Sequence, residues 1–182
     1  MLIDAPRSML LVLDMQERML PAIHDHAHVT ANVVWLIRAA QKIGVPVAAV
    51  EQYPKGLGRT TPAIKALLPK GAIAAKNHFS CVAARCLPPL PGADRPQIVI
   101  AGIETHVCLL QTALELMEEG KEVYVVADCV GSRRESDREL ALARMRQEGA
   151  RIVSREMVVF EWLGDADTPL FTDVSREFLK EN

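Results

Sequence analysis

The chain has no hydrophobic run long enough to cross a bilayer: each apolar stretch ends within a few residues at a charge, a glycine or a proline, short of the ~20 residues a membrane helix needs. It also lacks a basic stripe. Its 21 Lys and Arg are interspersed with 23 Asp and Glu for a net charge of −2, which offers no cationic face to a phosphate backbone and argues against nucleic acid as a partner. The opening MLIDAPRSMLLVLD has no charged segment ahead of an apolar core and no small-residue cleavage site, so a cytoplasmic protein is the expectation. Cys81, Cys86, Cys108 and Cys129 show neither C-x-x-C spacing nor the density of a disulfide scaffold, which predicts reduced thiols. Internal repeats and low-complexity tracts are absent. KGLGRT lacks the glycine spacing and the strand-to-helix context of a dinucleotide fingerprint, and no cofactor is expected.

What is present is a rhythm. Short aliphatic runs recur at Met9–Leu13, Val45–Val50, Ala72–Ala75, Ile98–Ala101, Val123–Ala127 and Ile152–Val153, mostly with helical spacing between them. Strands that read as continuous apolar runs are buried on both faces, as in a parallel sheet covered by helices. The pattern predicts a three-layer α/β/α, Rossmann-like fold in one domain over residues 1–182, a length that removes about 70% of the unfolded surface from water. Helices are expected at His28–Ile43, Val107–Glu119 and Arg134–Glu148, each closed by a glycine (Gly44, Gly120, Gly149) suited to a left-handed C-terminal position. In the third, Leu140, Leu142 and Met145 form a narrow apolar stripe among solvated charges. Tyr53–Gly71 and Leu87–Pro96 are dense in Pro and Gly and read as loops.

Ligands of open parallel sheets bind beyond the carboxyl ends of the strands. That rule selects Asp14 after the first run, Lys76 after the third and Cys108 just beyond the fourth, at a helix start. Each has an ordinary structural explanation: an aspartate fixing a turn, a solvated lysine, a core cysteine. Independent structural needs do not, however, predict an acid, an amine and a thiol on one rim. A helix N-terminus and a nearby cation lower a thiol from its usual pKa of ~8.5, so Lys76 is expected to favour the Cys108 thiolate, with Asp14 as general base and later general acid. The developing oxyanion needs donors worth about 2.7–4 kcal/mol each, and the backbone of Gly102–Cys108 can supply them, with Thr105 as expected N-cap.

These residues lie in segments that resemble the isochorismatase-like family of cysteine hydrolases: LLVLDMQERMLPAI, EQYPKGLG, KNHFS, IAGIETHVCLLQTALELMEEGKEVYVVADCVGSR and MVVFEWLGDADTPLF. The likeness runs from about Ser8 to Lys180 and is most specific around Cys108. It implies a six-stranded parallel sheet, a catalytic Asp14–Lys76–Cys108 triad, a non-proline cis peptide between Ile103 and Glu104, and an oxyanion hole from the N–H groups of Glu104 and Cys108. Because a cysteine is present, the resemblance favours the thioester route of amidases and carbamoylases over vinyl-ether cleavage. It also implies a homo-oligomer. Nicotinamidases of the family carry an Asp-x-His metal motif where this chain reads Glu51-Gln52-Tyr53, so no metal is expected and nicotinamide is a poor candidate substrate.

Gln16, Gln52, Tyr53, Phe79 and His106 are candidates for binding a small-molecule substrate, Gln16 through its amide; Phe79 serves equally well as core. HDHAH, His24 to His28, reads as solvated loop, and Cys81, Cys86 and Cys129 as structural thiols, the first two on a short helix. A non-catalytic oligomeric scaffold that keeps the fold is the alternative to an enzyme.

Overall fold

A computed structural model describes residues 2–180. Its six strands are β1 (Ser8–Leu13), β2 (Val47–Gln52), β3 (Ile73–Lys76), β4 (Gln97–Ile103), β5 (Glu122–Gly131) and β6 (Arg151–Val153). They form one all-parallel sheet in the order β3-β2-β1-β4-β5-β6. The helices are α1 (His26–Ile43), the short α2 (Pro54–Leu57) and α3 (Pro62–Lys65), α4 (Leu110–Glu118), α5 (Glu135–Gln147), α6 (Arg155–Leu163) and α7 (Pro169–Val174). The chain steps outward from β1 to β3, then crosses back to lay β4 against the other side of β1. The topological switch therefore falls between β1 and β4.

Every residue of β1, β2 and β4 is buried, as expected for strands covered on both faces. Alternation divides their side chains between two cores. Leu10, Val12, Ala49, Val99 and Ala101 pack with Val33, Leu36 and Ile37 of α1 and Val158, Val159 and Trp162 of α6. Met9, Leu11, Leu13, Val50, Ile98 and Ile100 pack with Ala113 and Leu116 of α4, Ala141 and Met145 of α5, and Cys81 and Leu90. At about 25 cal/mol per Å² of apolar area, these two layers supply the main stabilisation. Gly44, Gly120 and Gly149 follow α1, α4 and α5 with φ of 91°, 83° and 108°.

Several local expectations need correction. Leu140 is 70% exposed, and the buried face of α5 is instead Ala141 and Met145. The apolar stripe misled because Leu140 lies about 100° around the helix from Ala141, and only one of the two faces the sheet. HDHAH is not all loop, since α1 already begins at His26. Cys81 and Cys86 lie on a turn rather than a helix. β5 outruns its predicted end because it bulges: β4 advances from Ile100 to Gly102 while β5 advances from Val125 to Val130. Side chains satisfy the carbonyls freed there. Arg138 donates to Ala127 O (2.5 Å) and Val130 O (3.1 Å), and Asn32 to Asp128 O (2.6 Å).

At the switch point β1 and β4 approach closely at Gly102, which has φ 118° and faces Leu13. A Cβ there would lie 2.1 Å from Leu13 O and 2.7 Å from Leu13 N. Both obstacles are backbone atoms that cannot turn aside. Gly102→Ala is expected to cost about 3 kcal/mol or more in urea unfolding. Gly120→Ala, whose Cβ would meet nothing within 4 Å, is expected to lose only the left-handed penalty of about 1–2 kcal/mol.

Candidate active site

Three consecutive strand ends and one turn build the site. Asp14 follows β1 with φ 56°, a left-handed conformation that aspartate tolerates, and its N–H is fixed on Val50 O at 2.9 Å. Lys76 is the last residue of β3 and is in register with Gln52 at the end of β2. After β4 the Ile103–Glu104 peptide is cis, and a π-helical turn, Thr105–Leu109, carries Cys108 into α4. The expected N-cap at Thr105 is not formed. Thr105 lies inside the turn with its Oγ1 buried and unpartnered, and Glu104 occupies the cap position without a side-chain bond.

Lys76 Nζ donates to Asp14 Oδ2 at 3.1 Å and to Gln52 Oε1 at 2.6 Å. The Cys108 thiol is directed at the same Gln52 oxygen, 3.8 Å away. Both side chains of the Asp14–Lys76 ion pair are 0% exposed, and Cys108 is 3% exposed. The second carboxylate oxygen, Asp14 Oδ1, is buried without a hydrogen-bond partner.

The site thus holds one cation and two acids, and a single cation can compensate only one anion out of water. Burial raises Asp14 despite the lowering pull of Lys76. Lys76 is raised as well: burial alone would lower it, but the charges of Asp14 and Cys108 outweigh burial. Burial first, then the charge and hydrogen bond of Asp14, push the Cys108 thiol up to about 12 against the opposing influence of Lys76. The expectation of a depressed thiol pKa is therefore corrected. Helix-start position and one lysine do not overcome desolvation beside a carboxylate, so the resting thiol keeps its proton.

Gln52 bridges the lysine and the thiol, and it is itself held on two sides. Its Nε2 donates to Asn77 O at 2.9 Å, and its backbone N–H donates to Gln16 Oε1 at 2.7 Å. Gln16, fully buried, uses its amide nitrogen on Gln52 O and Gly58 O, so its amide braces the β2 end from behind. Glu104 turns its carboxylate away from the thiol onto Arg133, accepting from its backbone N and its Nε at 3.1 and 3.0 Å. His106 Nδ1 lies 3.0 Å from Ser132 Oγ. Tyr53 and Phe79 leave β2 and β3 at the same end of the sheet, each 52% exposed. The structure thus joins Asp14, Lys76, Gln52 and Cys108, while Gln16 stands one residue behind them. The strand-end rule applied to the run Val45–Val50 selects Glu51; Gln52 comes into the bridging place because β2 runs two residues past that run.

Glu51, where the metal motif would begin, accepts from Thr60 N at 2.8 Å, Thr60 Oγ1 at 2.9 Å and Arg59 Nη1 at 3.0 Å. Burial acts to raise its carboxyl, but these donors hold it below the usual range. Among the described residues no group of three or more His, Cys, Asp or Glu is arranged to hold a metal ion. No helix among them is long and apolar enough to cross a membrane.

Residues 8–157 match the isochorismatase domain family model. The chain belongs to the isochorismatase family. It is 37% identical over 174 residues to isochorismatase domain-containing protein 2 of Danio rerio, covering 93% of this chain and 85% of that protein. The structure of the MAR1 ribonuclease from Caenorhabditis elegans superposes with a TM-score of 0.89 at 35% identity, covering 100% of this chain and 94% of that one. The YcaC gene product of Escherichia coli, described as an octameric hydrolase of unknown specificity, gives a TM-score of 0.89 at 25% identity over 98% of this chain and 91% of that one. The isochorismatase-family hydrolase fold and its six-stranded parallel sheet are thereby established.

Three outcomes are expected of this family member. Lys76→Met leaves Asp14 buried without a counter-charge and is expected to cost about 3–5 kcal/mol in urea unfolding, with the Asp14→Asn/Lys76→Met double variant recovering part of the loss. Because the folded Cys108 thiol loses its proton only near its raised pKa, alkylation of Cys108 by iodoacetamide is expected to climb about tenfold per unit between about pH 7 and pH 10. Asp14→Asn should speed that alkylation at neutral pH by removing the charge that holds the proton on sulfur.

Proposed function

We propose that this isochorismatase-family protein is a cysteine hydrolase that cleaves the C–N bond of a small amide, or a related acyl compound, through a thioester on Cys108. The observation that carries the reading is the buried Asp14–Lys76 pair meeting the Cys108 thiol at Gln52 Oε1, with Asp14 acting on the thiol and keeping one oxygen, Oδ1, out of the hydrogen-bond network. A catalytic base must have an empty lone pair at the nucleophile, and a carboxylate raised by burial is better matched to taking a thiol proton than an ordinary aspartate.

In this mechanism the thiol proton passes to Asp14 as sulfur attacks the carbonyl carbon. Lys76 compensates the charge that moves from carboxylate to sulfur. The tetrahedral oxyanion is received by the N–H groups of Glu104 and Cys108. The Glu104 carbonyl accepts from Val107 N and Leu109 N at 3.1 and 3.3 Å and passes over the intervening Cys108 N–H, which supports that role. Asp14 returns the proton to the departing amine, and water, deprotonated by Asp14, then opens the thioester to release the acid and free the thiol. Gln52 keeps Lys76 and Cys108 at a fixed separation throughout. The substrate is small because Cys108 is nearly closed off, and Tyr53, Phe79 and His106 contact the part of it that projects outward. A homo-oligomeric state accompanies this reading, as described for the E. coli neighbour.

Rapid quenching after mixing with a panel of small amides and esters, followed by intact mass and peptide mapping, is expected to find an acyl adduct on Cys108. Cys108→Ala should abolish turnover. Asp14→Asn should slow acylation by about 10²–10⁴ even though it speeds simple alkylation, a split that a merely structural aspartate would not produce. Hydrolysis that survives Cys108→Ala would overturn the thioester route, and a panel that yields neither adduct nor turnover would favour the scaffold.

A further inference from the structure

The mechanism leaves three of the four cysteines unused, and two of them are neighbours. The turn after Asn77 brings Cys86 back onto Cys81: Cys86 N donates to Cys81 O at 3.3 Å, and Cys86 Sγ donates to the same oxygen at 3.5 Å. The two side chains are close enough to shift each other's ionisation, raising Cys81 and lowering Cys86. A turn closed by a backbone hydrogen bond, with one cysteine's sulfur folded onto the other's carbonyl, holds the two residues at roughly the backbone separation that a disulfide spans.

Their surroundings differ in a useful way. Cys86 is half-buried and reaches solvent, whereas Cys81 is 0% exposed but lines a cavity of about 500 Å³. That cavity is walled by apolar Met9, Leu11, Ile98 and Leu116 and flanked by Arg85 and Lys121. Asp14, Lys76 and Cys108 are not part of its lining. A small neutral oxidant can therefore reach the pair without entering the candidate active site. Arg85, one residue before Cys86, has φ 52°, a turn conformation that brings Cys86 back toward Cys81.

We propose that Cys81 and Cys86 form a second thiol site, converted by hydrogen peroxide or an organic hydroperoxide into an intramolecular disulfide, independently of any reaction at Cys108. Cys86 is the attacking sulfur. The neighbouring Cys81 thiol lowers its pKa, against burial, and Lys76 adds to the lowering, whereas Cys81 is raised well above the ordinary thiol range. The Cys86 thiolate breaks the peroxide O–O bond, forming a sulfenic acid and releasing hydroxide, or alkoxide from a hydroperoxide. Cys81 sulfur then attacks the Cys86 sulfur, the S–S bond forms, and the sulfenic oxygen leaves as water with the Cys81 proton. The net change is two thiols and one peroxide to one disulfide and two waters, or one water and one alcohol.

The test is a peroxide titration of the wild-type protein, quenched under denaturing conditions with N-ethylmaleimide and mapped by peptide mass. Cys81 and Cys86 should lose their maleimide adducts together, with a mass decrease of about 2 Da relative to the reduced, unalkylated pair, while Cys108 and Cys129 remain alkylated. Dithiothreitol should restore both adducts. Cys86→Ser is expected to abolish the disulfide and Cys129→Ser to leave it unchanged, and wild-type mapping decides the matter even if a variant folds poorly. Oxidation that appears first at Cys108, that stops at a sulfenic or sulfinic acid on Cys86, or that links different cysteines would overturn the proposal.

Discussion

A buried lysine and a buried aspartate 3.1 Å apart, neither exposed to water, set the terms for everything around them. Each is far too costly to desolvate alone, so the three strands that deliver the pair and its neighbours must end at the same level. Asp14 follows directly on β1, β3 ends at Lys76, and β2 between them ends at Gln52, whose side-chain oxygen is the lysine's second acceptor. Neutrality inside the site then dictates the state of the thiol. With one positive charge already matched by one negative charge, Cys108 must stay protonated until something else in the pocket changes.

That chain of dependence explains which features were legible from residues alone. Strands buried on both faces announce themselves as unbroken apolar runs, so the layer architecture and the residues at the strand ends followed from pattern. The same pattern selects Asp14 and Lys76 at strand ends and Cys108 in the turn after β4, and the fold brings these three side chains together. The thiol's ionisation was not, because it depends on how completely water is excluded and on which charge lies nearer, and neither quantity is encoded in spacing. Gln16 and Gln52 show the same limit on a smaller scale. Both are amides beside the site, yet one faces the lysine while the other braces backbone, a difference decided by the pleat of β2 and the path of the chain near Gly58. The bulge in β5 is not legible in spacing, because the carbonyls it displaces are satisfied by side chains of other elements, Asn32 of α1 and Arg138 of α5.

The four cysteines illustrate how little residue type fixes chemistry. Cys129 is buried with its pKa raised well above the ordinary value by desolvation, next to Asp128, and is inert by position. Cys108 is buried too, but it shares Gln52 Oε1 with Lys76 and feels the Asp14 carboxylate. Cys86 owes its acidity to another thiol. The ionisation of each of these two thiols is thus set by the second group beside it.

Gly102 adds a consequence for how such a protein can diversify. The spacing between the strand that presents the acid and the strand that leads to the thiol is gauged there by main-chain atoms in direct contact, with no side chain acting as a shim. Tyr53 and Phe79, by contrast, project from loops into solvent. The buried Asp14–Lys76–Cys108 geometry and the exposed side chains at the sheet's rim are thus mechanically decoupled, so the rim residues can be exchanged without disturbing the packing beneath them.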